Sequence, residues 1–168
     1  MVEIRDETPS DHLAIRELNE RAFGGAAEAK RVDILRVTRK VVISLVAVYQ
    51  NSVVGHILFS PVAVAEGPEN LRAVGLAPMA VLPEFQKRGI GSKLVRAGLE
   101  ACRQAGCDVV VVLGHAKYYP RFGFLKARDY GLDNEYNAVD SFMVLELRKG
   151  ALQEVRGLVK YSAEFREA

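Results

Sequence analysis

The residues best suited to chemistry lie in one run, Gln86-Lys87-Arg88-Gly89-Ile90-Gly91, followed by Ser92-Lys93-Leu94. Glycines let a backbone approach a ligand closely and take up torsions that other residues avoid. A helix that starts at such a point presents N–H groups without intrahelical partners, together with the positive end of its dipole, and so attracts phosphate. Lys87, Arg88 and Lys93 add positive charge at the same place. Two familiar phosphate loops do not fit. A Walker loop ends in Gly-Lys-Ser/Thr after a longer spacer. A dinucleotide fingerprint needs a third glycine where Leu94 stands, and a shorter link from the preceding strand.

Cysteine chemistry is not indicated. The spacing of Cys102 and Cys107 matches no zinc or redox motif, and two cysteines are too few for a disulfide framework. Cys102 falls on the apolar stripe of a helix with no histidine beside it in sequence, which argues against a nucleophilic thiol. No metal site is expected.

The elements that must position the glycine run are legible from periodicity. Val2 to Arg5 reads as a first strand. Thr8-Pro9-Ser10-Asp11 is a helix start, with Thr8 as N-cap and Pro9 at the first position. Ala14, Leu18 and Ala22 then share a face, and Gly24-Gly25 stops the helix. A second helix over Ala26 to Thr38 turns Val32 and Leu35 inward and Arg31, Asp33 and Arg36 outward. Val41 to Tyr49 and Val53 to Phe59 form a hairpin about Gln50-Asn51-Ser52, and the second strand continues past a bend at Pro61. Arg72 to Val81 is a strand in which Pro78 lacks a ladder donor, so a bulge or splay is expected there. Gly91 to Ala105 is the strongest helix, with Leu94, Val95, Leu99 and Cys102 as its stripe. Val109 to Leu113 is a strand covered on both faces. Tyr118 to Phe122 is a short helical turn, Phe142 to Leu147 a late strand, and Gly157 to Tyr161 a final one. The whole is a mixed α/β arrangement, a sheet flanked by helices, expected as a single domain over residues 1–168.

Composition narrows the partners. The chain has 168 residues, 49% of them hydrophobic and 26% charged, with 23 basic and 21 acidic residues. A net charge of +2 gives no electrostatic reason to expect nucleic acid. The longest apolar run, Val109 to Leu113, is far short of the ~20 residues of a membrane span. No signal-peptide pattern follows Met1, so a cytoplasmic protein is expected, with neither nucleic acid nor membrane as a partner.

The flanks of the glycine run carry a resemblance. Gln86-x-x-Gly89-x-Gly91 matches the pyrophosphate loop Gln/Arg-x-x-Gly-x-Gly/Ala of the GNAT superfamily of acyl-CoA-dependent N-acetyltransferases. Val81-Leu82-Pro83-Glu84-Phe85-Gln86 resembles the strand end that precedes that loop in the family. One helix and one strand later, Tyr118-Tyr119-Pro120-Arg121-Phe122-Gly123-Phe124 resembles the family's aromatic-Tyr pair followed by Gly-Phe. The resemblance covers Val53 to Phe124 well, and is closest to small bacterial members of unassigned substrate. It implies the GNAT fold: a mixed, mostly antiparallel central sheet, splayed at the cofactor strand and flanked by helices.

The resemblance also implies roles. Acetyl-CoA is the expected cosubstrate. Gln86, Lys87, Arg88, Gly89, Ile90, Gly91 and Ser92 would wrap its pyrophosphate with main-chain N–H groups, and Met79, Ala80 and Val81 would pair with its pantetheine arm. Tyr119 would protonate the departing thiolate, since a phenol of pKa ~10 lies near a thiol of ~8.5. An amine of a small molecule or peptide would attack the thioester directly in a ternary complex of a monomer or homodimer. Many members carry Asn where Val112 stands, so the thiol end of the cofactor would be held differently here. His56, His115, Glu84 and His12 are considered as the base, and none is selected. Three alternatives stay open at this level: a module that holds acyl-CoA without transfer, another phosphate-using enzyme such as an NAD-dependent one, and a domain with no cofactor.

Overall fold

Runs of β-branched and apolar residues alternate with segments of helical period, and the computed structural model, which describes residues 1–166, places strands and helices accordingly. Its contacts divide the chain into two units. The first holds Met1–Ser60, Ala77–Glu100 and residues 163–166; the second holds Pro61–Leu76 and Ala101–Ser162.

In the first unit, β1 (Glu3–Asp6) pairs antiparallel with β2 (Ile43–Tyr49), and β2 with β3 (Ser52–Glu66). Gln50 and Asn51 turn the hairpin with φ of 49° and 65°, the left-handed pair that matches strand twist in a two-residue loop. One face of these strands carries α1 (His12–Phe23) and α2 (Ala27–Val37). There Ile15, Val32, Leu35, Val46 and Leu58 form a buried cluster. The opposite face carries α3 (Ile90–Gln104). Gly98 of α3 admits the ring of Phe59: a Cβ at 98 would lie 2.5 Å from Phe59 Cε1. The start of α1 is fixed by its sequence. The Thr8 N–H donates to Asp11 Oδ2 at 2.7 Å, and Arg5 pairs with the same oxygen at 2.7 Å. Gly24, at φ 72°, ends the helix by donating its N–H to the Glu20 carbonyl.

In the second unit, β3 runs on past Pro61 and pairs with β9 (Arg156–Tyr161), while β7 (Leu132–Asn134) lies parallel to β9. The first half of β4 (Ala73–Val81) pairs parallel with β5 (Val109–Leu113), from Ala73↔Val109 to Leu76↔Val112. Antiparallel pairs join β5 to β8 (Phe142–Glu146) and β8 to β6 (Leu125–Lys126). Strand order is β1-β2-β3-β4-β5-β8-β6, with β9 on β3 and β7 on β9. Pairing is thus mixed and mostly antiparallel, as expected. The β4–β5 register stops two residues before Pro78, whose peptide bond to Ala77 is cis. Pro78 does not end the strand, which continues to Val81.

Candidate active site

The turn between β4 and α3 is built by side chains that hold its backbone in place. After Leu82, Pro83–Phe85 forms a 3-10 turn, and the Leu82 N–H donates to the Val54 carbonyl at 2.9 Å. Gln86 is extended, and its Nε2 donates to the Val81 carbonyl at 3.0 Å, which folds the turn back against the end of β4. Lys87 sits at φ 64° and Gly89 at φ 82°. A lysine in the left-handed region costs roughly 1–2 kcal/mol, strain of the kind that clusters at ligand clamps. A Cβ on Gly89 would meet no atom within 4 Å, so the backbone there borders open space. Helical bonding begins with the Lys93 N–H to the Gly89 carbonyl at 3.1 Å, and no acidic residue occupies the first turn of α3. The arrangement is an anion cradle: a helix start, left-handed backbone and nearby cations.

Side chains around the cradle are ordered too. The Arg88 guanidinium lies 5.3 Å above the Phe85 ring, which packs against Tyr49 at 5.6 Å. Glu84 is turned to Arg21, whose Nη2 reaches its carboxylate oxygens at 2.8 and 3.1 Å. Beside the turn, still in the first unit, a cleft of about 210 Å³ is lined by Ala22, Phe23, Met79, Ala80, Val81 and Gln86. That is smaller than the roughly 300–1,000 Å³ of drug-sized sites, and suits a thin extended chain. The residues assigned to the cofactor from sequence lie on the end of β4 (Met79 to Val81), in this turn (Gln86 to Gly89) and in the first turn of α3 (Ile90 to Ser92). The residues present fit a ligand with an anionic pyrophosphate and a narrow arm.

Tyr119, in the second unit, opens the 3-10 turn Tyr119–Phe122 and is buried. Its ring lies against Gly114, where a Cβ would come within 2.4 Å of Tyr119 Cε2. Tyr118 and Phe124 pack edge-on at 5.1 and 5.6 Å. Burial, and then Tyr118, push the Tyr119 phenol up to about 12. His115 is exposed, and its carbonyl accepts the Tyr118 N–H at 3.0 Å.

His56 has a structural setting. It is fully buried, with Nε2 2.9 Å from Ser44 Oγ and 3.7 Å from Glu7 Oε1. Arg36, read from sequence as outward-facing, turns in to Glu7 at 2.9 Å, and Ser44 donates to the same carboxylate. Burial tends to raise the Glu7 carboxyl, but His56, Arg36 and Ser44 outweigh it and hold the group well below the usual carboxylate range. Burial lowers His56 against the opposing pull of Glu7. Sequence reasoning missed this cluster because its members stand far apart in the chain. Among the described residues, no group of three or more His, Cys, Asp or Glu is placed to hold a metal, and no helix is long and apolar enough to cross a membrane.

Comparison with known proteins agrees with this geometry. Residues 12–124 match the acetyltransferase (GNAT) family model. The chain is 39% identical over 164 residues to the uncharacterized N-acetyltransferase YhbS of Escherichia coli, covering 96% of this chain and 97% of that protein. It is 44% identical over 117 residues to YjhQ, another uncharacterized N-acetyltransferase of Escherichia coli, spanning 65% of that protein's length. The crystal structure of Escherichia coli YhbS in complex with CoA superposes with a TM-score of 0.92 at 38% identity, covering 98% of this chain and 92% of that one. A GNAT family acetyltransferase from Brucella melitensis in complex with acetyl-CoA gives 0.81 at 36% identity, covering 98% of each chain. With the anion cradle, the narrow cleft and these relatives in agreement, the chain belongs to the GNAT acetyltransferase family, as an acetyl-CoA-dependent acyltransferase.

Proposed function

We propose that the protein moves the acetyl group of acetyl-CoA to a primary amine of a small molecule or peptide, by direct attack within a ternary complex. The observation that carries this reading is the turn from Gln86 to Gly91, with left-handed Lys87 and Gly89 ahead of a helix start free of acidic residues. Main-chain N–H groups from Lys87 to Ser92 hold the pyrophosphate, and Lys87 and Arg88 supply charge. Met79, Ala80 and Val81 pair with the pantetheine arm as an added strand would; Pro78 suits that role because it brings no N–H to a ladder with β5. Bound acetyl-CoA supplies an acyl group activated as a thioester.

Tyr119 serves the sulfur. Burial keeps its phenol protonated throughout the physiological range. A donor pushed up to about 12 gives its proton up reluctantly to a thiolate of pKa ~8.5. Its main contribution is therefore a hydrogen bond that strengthens as negative charge builds on the leaving sulfur. Positioning of amine and thioester supplies the remainder.

The test is acetyl transfer against a panel of primary amines, following CoA release with a thiol reagent and product by mass spectrometry. An N-acetylated amine formed in step with free CoA is the expected result. Acetyl-CoA binding without transfer to any amine would instead identify a module that holds the cofactor.

A further inference from the structure

The second unit contains a carboxylate and two phenol rings gathered where β4 and β5 stop pairing. Gly75 pairs with Val111, one rung before the last, Leu76↔Val112. The ring of Tyr161 lies over Gly75, so close that a Cβ there would come within 2.6 Å of Tyr161 Cε2. Glu135 Oε1 accepts the Tyr161 N–H at 2.9 Å. The Tyr136 ring stands 6.1 Å from that of Tyr161, inclined at 60°. Exposure falls across the group, from Tyr136, 46% exposed, through the half-buried Glu135 to Tyr161, 5% exposed.

The loop that carries Glu135 is built rather than loose. Asn134 is buried, its Oδ1 accepting the N–H groups of Tyr136 (2.9 Å) and Ala138 (3.2 Å), while its Nδ2 donates to the Ala138 carbonyl at 2.7 Å. Asn137 closes the loop at φ 58°. A carboxylate held by the Tyr161 main-chain N–H near two phenol rings is the chemistry that recognises an ammonium ion: charge-assisted hydrogen bonds from N–H to carboxylate, with ring quadrupoles favouring the cation. Burial first, then Tyr136, Tyr119 and Glu135, push the Tyr161 phenol up.

We infer that Glu135, flanked by Tyr136 and Tyr161, binds the acceptor as a primary ammonium ion and so selects cationic amines over neutral groups of the same shape. This rests on the acyltransferase reading above. Glu135 is assigned to binding and orientation of the acceptor.

Glutamine separates charge from structure at this position, because its amide oxygen still accepts the Tyr161 N–H. Ligand-observed NMR titrations with n-butylammonium and with n-butanol, on the wild type and Glu135→Gln, give the readout. The wild type is expected to bind the ammonium and discriminate against the alcohol. Glu135→Gln should keep its circular dichroism spectrum and weaken ammonium binding by about tenfold or more, as for loss of a charged hydrogen bond. Equal ammonium affinity in the variant, equal binding of the alcohol, or no binding of the ammonium by the wild type would overturn the assignment. Calorimetry with acetyl-CoA on the same samples tells the two readings apart. Retained acetyl-CoA affinity without ammonium selection removes only the Glu135 role, whereas a wild type that does not bind acetyl-CoA removes the acyltransferase reading and the acceptor role with it.

Discussion

Tyr119 is wedged between Gly114, Tyr118 and Phe124, so a phenylalanine in its place keeps the packing and removes only the hydroxyl. Tyr119→Phe is expected to bind acetyl-CoA like the wild type and to lose turnover by about 10²-fold, the lower end for a proton donor, because the role proposed for the group is chiefly a hydrogen bond. Steady-state kinetics with any accepted amine, beside calorimetry with acetyl-CoA, measures this; near-normal kcat would return Tyr119 to a packing role. A second residue-scale prediction concerns Glu7 and His56. Both titrate lower in the folded protein than in the unfolded chain, so the unfolded chain binds more protons and stability falls as pH falls. The His56 contribution is complete above pH ~6.5 and is lost below it, and that of Glu7 is complete above ~4.3 and lost at lower pH. The urea midpoint should therefore drop between pH 7.5 and 5, and a midpoint that is flat across this range would contradict the account. Glu7→Gln leaves Arg36 with Asp33 alone, at 3.2 Å, and should cost about 2 kcal/mol at pH 7.5, as for loss of hydrogen bonds to a charged group.

Among the elements, α3 has two tasks: its first turn faces the anion cradle, and its middle packs on β3. Gly98 belongs to the second task. Alanine there gains about 1 kcal/mol of helix preference but drives a methyl into the Phe59 ring, and overpacking of this kind costs about 1–3 kcal/mol. Gly98→Ala should thus lower stability by up to about 2 kcal/mol in urea denaturation, and a raised midpoint would show that Phe59 moves aside freely. The stripe of α3 was legible because Leu94, Val95, Leu99 and Cys102 repeat at helical period, and all are buried. The hairpin was legible because Gln50-Asn51 stands between two apolar runs. In contrast, β6 and β7 have 2 and 3 residues, too few to show a period of two. On α1 Leu18 is buried as expected, but its neighbours on the buried face are Ile15 and Asn19 rather than Ala14 and Ala22. The buried asparagine disguised that face, since its Nδ2 is satisfied within the helix by the Ile15 carbonyl at 3.0 Å.

For the molecule as a whole, the sequence showed most where function is local and least where it is assembled. The cradle is contiguous, so Gln86 to Gly91 disclosed both its backbone geometry and its charge. The structure adds what Gln86 does, which is to fasten the turn to Val81. The group of Glu135, Tyr136 and Tyr161 brings together residues 26 apart through a hydrogen bond to a strand end, and no spacing rule encodes that. The central claim is that the turn from Lys87 to Ser92 holds the pyrophosphate of acetyl-CoA. Gly91→Asp tests it cleanly. An acidic residue in the first turn suits the helix dipole and aspartate has better helix propensity than glycine, so folding should survive. The same carboxylate brings negative charge and bulk into the anion cradle. Calorimetric titration with acetyl-CoA should show clear binding to the wild type and a loss of at least about 100-fold in the folded Gly91→Asp variant, as expected for like charges brought together at a binding site. Unchanged affinity in a folded Gly91→Asp protein would contradict the account.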